Sequence, residues 1–392
     1  MHAWLPMVAL KSAVLCRRPP NHAFEGSAQQ RTRCWVPSSL RSSAPPQRNR
    51  WASRDEVPVG YTWLSNERRA MQASALGLAI VMAVLSGHAV AQSFPSRSVT
   101  IIVPLSPGGG ADTLARLVAK GLTEKPGKPV VVENRPGAGG RIGADIAARA
   151  TADGHTLLLG TSSTLVIEPV LRTNVGYDPK RDFAPVILIA EAPLILIVAS
   201  SLPVASLDEL LAYARKPGTK LTYASWGPGT SAHLLGETLR ATAKLDVVHV
   251  PYKGGAPALT DLIGGQVSMM FATSVMAGPH IRSGKIRALG VTSFRRLEML
   301  PQVPTFAEMG YKRLDFQAWY ALLAPTKTPA PVVMRLNKEI TAVVRSAEFV
   351  RAATDDGAAI VAGSPEQLAK RIESDTEAIQ RLVKEAKFTL EE

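Results

Sequence analysis

Cysteine is missing from most of this chain. Cys16 and Cys34 both lie in the first 70 of its 392 residues, which also hold four of the six tryptophans. The body after residue 91 has no cysteine, which excludes a disulfide framework, thiolate metal sites and a cysteine nucleophile there. A basic block is missing too. The formal charge of +13 misleads as an average, because the first 70 residues hold 11 Lys and Arg against 4 Asp and Glu, while the 301 residues after position 91 hold 34 against 28. An excess of +6 spread over that length excludes a dedicated nucleic-acid surface. The phosphate loop G-x-x-x-x-G-K-[ST], the G-x-S-x-G elbow, the dinucleotide fingerprint G-x-G-x-x-G and H-E-x-x-H are all absent. The body's histidines, His155, His233, His249 and His280, have no metal-ligand spacing. No catalytic residue, metal or cofactor is expected. A Ser-His-Asp set could be assembled from distant residues, but no spacing selects one.

The front of the chain reads as two segments. Residues 1–63 are rich in Arg, Pro, Ser and Gln without helical or strand period, so they are expected to be disordered, or to be upstream sequence read as protein. Residues 64–91 have the order of a secretory signal peptide. Arg68-Arg69 is followed by an apolar run from Ala73 to Leu85, then Gly87 and Ala89-Val90-Ala91, with cleavage expected after Ala91. The run is shorter than the roughly 20 residues that span a bilayer. The body is therefore expected to be exported.

Within the body, β-branched runs alternate with helical patterns, which predicts an open α/β sheet. Val99–Val103, Pro129–Glu133, His155–Gly160, Pro185–Ile189, Leu194–Ala199, Leu221–Ala224, Val247–Val250, Val267–Phe271, Ile286–Val291 and Phe316–Ala324 read as strands. Continuous apolar runs such as Val99–Val103 suit a strand buried on both faces of a parallel sheet. Helices are expected from Asp112, over Ile142–Ala150, from Ser206 with its capping box to Glu209, over Thr230–Thr242, near Pro257–Ile263, and over Pro331–Val344 and Pro365–Lys387, the last capped by Ser364 with Gln367.

Two loops share one construction. Ser106–Asp112 (SPGGGAD) and Ser225–Ser231 (SWGPGTS) each follow a strand, carry several glycines and lead into a helix N-terminus. Glycine lets the backbone approach a ligand, and the unpaired N–H groups and helix dipole favour an anion. Facing each other across a cleft, they would clamp an anion without Lys or Arg. The candidate binding residues are Ser106, Gly109, Gly110 and Asp112 from the first loop, and Ser225, Gly229, Thr230 and Ser231 from the second. Asp112 is expected to hold the helix start rather than touch the anion. Thr161, Ser162 and Ser163, at the end of a third strand, would add hydroxyl donors at the edge where open α/β sheets bind ligands. His233, one turn into the second helix, is within reach of the same place. Glycine turns are also ordinary connectors, and Gly137–Gly140 reads as one.

Over residues 94–392 the chain resembles the substrate-binding proteins of tripartite tricarboxylate transporters, the Bug family. The stretches that carry the resemblance include FPSRSVTIIVPLSPGGGADTLARLVA (Phe94–Ala119), VVVENRPGAGGRIGADIAARATADGHTLLLG (Val130–Gly160), LTYASWGPGTSAHLLGE (Leu221–Glu237), VVHVPYKGGAPALTDLIGGQVSMMF (Val247–Phe271) and WYALLAPTKTPAPVVMRLNKEI (Trp319–Ile340). The resemblance implies a type II periplasmic-binding-protein fold. One α/β lobe would comprise 94–194 plus 318–392 and the other 195–317, with the ligand cleft between them. It implies a monomeric, periplasmic receptor that closes on a small organic carboxylate and delivers it to a two-component membrane permease. The family's ligand loops fall on Ser106–Asp112, Ser225–Ser231 and Thr161-Ser162. Some members carry an acidic residue after the Met-Phe pair. Here Ala272-Thr273-Ser274 follows Phe271, which favours a plain mono- or dicarboxylate over an amino acid. Two readings remain beside the receptor: a secreted hydrolase on a similar sheet, and a module presenting its ligand to a membrane kinase.

Overall fold

The computed structural model describes residues 94–124, 129–355 and 357–386, with Met71, Ser74 and Gly77. The segment 1–63 and all but those three residues of the signal segment 64–91 lie outside the described residues. Among the described residues, no helix is long and apolar enough to cross a membrane.

Strand β1 (Val99–Val103) lies between β2 (Val130–Asn134) and β3 (Thr156–Thr161), parallel to both. Its side chains alternate between two cores. Ile101 and Val103 pack beneath the helix Gly110–Thr123 with Leu114, Ala115 and Val118. Ile102 enters the opposite core with Leu158, Trp319 and Ile372. That is why Ile101–Val103 carries no polar side chain: the strand is covered on both faces there, and its polar residue, Thr100, is only half-buried. A third apolar core is built from residues 194–318, centred on Leu196, Phe271, Phe306 and Leu262.

The remaining strands are β4 (Phe183–Ala199), β5 (Leu221–Ser225), β6 (Val247–Pro251), β7 (Met269–Thr273), β8 (Ile286–Val291), β9 (Gln317–Pro325) and β10 (Ala359–Gly363). The sheet order is β2-β1-β3-β9-β4-β7-β5-β6, with β8 and β10 also pairing with β4. β5 is parallel to β6 and β7, whereas β9 runs antiparallel to β3 and β4. The sheet is therefore mixed, not the all-parallel array that the apolar runs suggested. The two stretches expected as separate strands, Pro185–Ile189 and Leu194–Ala199, form the single 17-residue strand β4. Pro193 does not interrupt it, because it sits where β4 changes partners. Before it, β4 pairs with β10 and β9; from Leu194 it pairs with β7 and β8. A missing N–H costs little at such a handover.

β4 and β9 thus run from the first pair of cores into the third, giving two lobes joined by adjacent strands. The expected capping boxes are present. Ser206 Oγ accepts from Glu209 N at 3.2 Å, and Ser364 and Gln367 exchange bonds of 3.3 and 2.7 Å. The sequence reading missed the helices Ser274–Arg282 and Ala347–Thr354 and strand β10. The first of these helices contains Gly278 and Pro279, both of which argue against a helix locally.

Candidate functional site

A small, partly open cavity lies where the lobes meet. The first lobe contributes Leu105, Gly110, Ala111, Thr161, Ser162, Ser163 and Tyr320; the second contributes Trp226, Ser231, Gly255, Thr273 and Met276, with Ala318 at the junction. None of these side chains carries a formal charge.

Four helices begin at this cavity: Gly110–Thr123, Ser231–Ala243, Gly255–Ile263 and Ser274–Arg282. Their N-cap residues, Gly109, Thr230, Gly254 and Thr273, make no side-chain capping bond. Elsewhere, Leu207–Ala214 is capped by Ser206 and Ala347–Thr354 by Ser346, while Arg141–Ala148 and Ala330–Val344 also start without a side-chain cap. With about half a positive charge at each N-terminus, four of them supply the equivalent of about two. Hydroxyls add donors. Ser162 Oγ is buried without a hydrogen-bond partner, and Thr273 Oγ1 makes no bond of ordinary geometry, its polar neighbour being the Tyr320 hydroxyl. Burial pushes the Tyr320 phenol up to about 12, so it stays protonated and able to donate.

The structure separates the sequence candidates into two groups. Gly110, Thr161, Ser162 and Ser231 line the cavity. The others lie behind it and brace it. Ser106 Oγ donates to Lys253 O across the lobes at 2.9 Å. Gly109 is the N-cap of its helix. Asp112 turns back from the cavity: Oδ2 accepts from Gly108 N and Arg116 Nε, and Oδ1 from Asn134 Nδ2, each at 2.9 Å. Burial raises its pKa, but these hydrogen bonds outweigh it and hold the carboxyl below its ordinary range.

The second loop is braced without charge. Ser225 Oγ lies 2.7 Å from His249 Nε2 and donates to Gly227 O, and Thr230 Oγ1 donates to Gly227 O at 2.6 Å. His233 Nδ1 accepts from Gly229 N at 3.1 Å. The rings of His233 and His249 stack at 4.1 Å, and Tyr223 extends the stack. Desolvation lowers both imidazoles to about 4, so the stack is neutral at physiological pH. The Gly137–Gly140 turn also meets this loop: a β-carbon on Gly227 would lie 3.3 Å from the Gly139 backbone.

The sequence reading included Ser163 in its hydroxyl cluster but did not select Gly255, Thr273, Met276 and Tyr320. Ser163 ties the lobes together, accepting from Ser231 N at 3.0 Å. Gly255 had a signal in the YKGGAP stretch, a third glycine turn before a helix. Tyr320 had none, because it sits inside an apolar strand.

A Ser–His–Asp constellation does occur away from the cavity. Ser96 Oγ is 3.4 Å from His155 Nε2, and His155 Nδ1 is 3.3 Å from Asp153. The same Nε2 accepts the Ser96 backbone N–H at 3.1 Å, so its lone pair is occupied and cannot activate the hydroxyl.

Two α/β lobes joined by paired strands, with an uncharged cavity at facing helix starts, define a periplasmic-binding-protein type of solute receptor. The description "Tripartite tricarboxylate transporter family receptor" matches residues 114–388, and the chain belongs to that family. It is similar to BugT of Bordetella pertussis, 37% identical over 74% of this chain and 90% of that one. Among solved structures, it is similar to Rpa4515 of R. palustris with adipate (35% identity, TM-score 0.73, 76% of this chain and 99% of that one). It also resembles MatC of Rhodopseudomonas palustris with bound malate (34%, TM-score 0.71, 74% and 100%). Members of this family are receptors and not enzymes.

Proposed function

We propose that the chain is exported through the signal segment 64–91 and captures a small mono- or dicarboxylate between its lobes. The lobes would be residues 94–194 with 318–392, and 195–317. The loaded monomer would then deliver its ligand to a two-component membrane permease. The observation that carries this reading is a convergence: four helix starts without side-chain caps meet at one uncharged cavity, beside the buried Ser162 and Thr273 hydroxyls. An anion would complete the site, because it meets about two charge equivalents of helix dipole beside the Ser162 and Thr273 hydroxyls. Neutral donors also leave the empty cleft free of a buried ion. Adipate and malate in the related receptors are acids of the expected size.

Gly110, Ala111 and Ser231 would hold one carboxylate with Thr161, Ser162 and Ser163. Gly255, Thr273 and Tyr320 would meet the rest of the ligand, and Trp226 and Met276 its hydrocarbon part. Closure follows if the ligand binds the closed form better than the open one. The test is thermal melting of ligand-stripped protein against organic acids and amino acids. At about 100 times its dissociation constant, a ligand should add roughly 2.7 kcal/mol, or several degrees. A shift with carboxylates supports the reading; silence across the whole panel rejects it.

A further inference from the structure

Glu168 opens the short helix after the turn that carries Ser162 and Ser163, and its side chain is wholly buried. Its two oxygens have different surroundings. Oε2 accepts from Arg172 Nε at 3.1 Å and lies 3.8 Å from Arg141 Nε. Oε1 has no hydrogen-bond partner. Instead it is wedged between glycines of both lobes: a β-carbon on Gly229 would stand 2.5 Å from it, one on Gly139 would overlap it, and Pro228 O borders the same spot. Gly229 and Pro228 belong to the second lobe's ligand loop, whereas Gly139 and Glu168 belong to the first. The packing of the two lobes in this structure therefore shields one carboxylate oxygen from water and supplies no donor in return. An ionised oxygen so placed is costly, and a proton relieves the cost.

We propose that Glu168 is a closure-coupled proton site: the cleft shuts on its ligand with the Glu168 carboxyl protonated, and opening withdraws the Gly229 loop and releases the proton. The inference rests on the receptor reading, since ligand-driven closure is what the proton is linked to. Burial pushes the acid up to about 7, against the pull of Arg172 first and Arg141 second. The other titratable groups nearby do not compete with it in that range. The Tyr177 phenol is raised by burial and donates to Thr164 O, and His233 is lowered to about 4. The C-terminal helix presents Leu368, Ile372 and Ile379 to this core. Because closure takes up the proton, affinity falls as the pH rises through 7, by at most about tenfold per pH unit for one proton.

The experiment is titration calorimetry of the wild-type chain with adipate and with malate, at pH 6, 7 and 8. At pH 7 it is repeated in buffers of different ionisation heat, which counts protons directly. Both acids are ionised over this range. The expected result is uptake of about half a proton per ligand at pH 7, with affinity weakening about three- to tenfold between pH 6 and 8. Glu168→Gln, a neutral near-isostere, should bind with a flat pH profile and no uptake. Binding without proton uptake, or equal uptake in Glu168→Gln, overturns the proposal and leaves the receptor reading intact. Failure of every acid to bind at every pH overturns the receptor reading and this inference with it. The wild-type proton count decides the matter even where the variant does not fold.

Discussion

The two glycine loops look like copies of one device, yet they are held by opposite means. The first is clamped by charge: buried Asp112 gathers Gly108 N–H, Arg116 and Asn134, pulling the loop back so that Gly110 and Ala111 face the cavity. The second is held by neutral groups, through Ser225, His249 and His233. Neither loop puts its brace into the cavity. The comparison teaches that an uncharged binding surface places few demands on what supports it from behind. The two supports should fail in different ways, which makes the difference measurable.

The largest effect is expected at Gly110. A β-carbon there would lie 2.8 Å from both Thr273 Oγ1 and the Tyr320 hydroxyl, atoms contributed by different lobes. Gly110→Val should lower affinity a hundredfold or more, measured by calorimetry, and should also lower the ligand-free melting temperature, because its β-carbon collides with the buried Tyr320 hydroxyl of the same lobe. Gly109→Ala is the control. Its β-carbon meets only Ser106 O at 3.8 Å, so binding should persist within a few-fold. Equal losses in the two variants would mean that the loop as a whole, and not the Gly110 face, makes the contact.

On the second loop, Gly229 has φ +78 and faces Glu168. Gly229→Ala should cost about 1–3 kcal/mol in chemical denaturation from backbone strain and crowding, besides weakening binding. An unchanged denaturation midpoint would show that this loop is not preset. Asp112→Asn should cost about 1–2 kcal/mol, because it removes a charge-assisted bond to Arg116 and leaves the amide with one acceptor for three donors. Its affinity loss should be smaller than that of Gly110→Val.

The smallest effects concern pH, where the loops diverge. The imidazoles of His233 and His249 stand at about 4 when folded, below the ordinary 6.5. The unfolded chain then binds more protons between those values, so their contribution is present above pH 6.5 and is lost as the pH falls toward 4. Melting should decline over that window, and His249→Gln should flatten part of the decline. The lowered carboxyl of Asp112 makes the first loop's support fail only below the ordinary carboxylate range. Imidazole NMR signals titrating near 6.5 in the folded protein would contradict the neutral stack.

Much of this was legible in the sequence. The alternation of apolar runs with helical patterns gave the α/β class, and two Ser/Thr capping boxes marked helix starts correctly. The loops at Ser106–Asp112 and Ser225–Ser231 were visible because glycine, serine and a following helix leave a local signature. The direction of β9 and the continuity of β4 past Pro193 were not visible, since pairing is decided by distant strands. The same limit hid Tyr320 and Thr273, which read as ordinary strand residues until the fold brings them to Gly110. The supporting role of Asp112 at its helix start was expected, whereas that of His233 was hidden, because an imidazole can bind or brace whichever way it points.

The bridge formed by β4 and β9 has a further consequence. Ala192 pairs with Ala318, and Pro193 with Gln317, so the chain leaves the first lobe and returns to it at neighbouring positions of one ladder. With the lobes divided as proposed, residues 195–317 would be a single insertion in the first lobe with its two ends side by side. Such an insert can be exchanged as a cassette without altering the host's strand order or lengthening any connection. New specificities can then arise by recombining one lobe against a constant other, and swapping this stretch between relatives would follow a join the fold already contains.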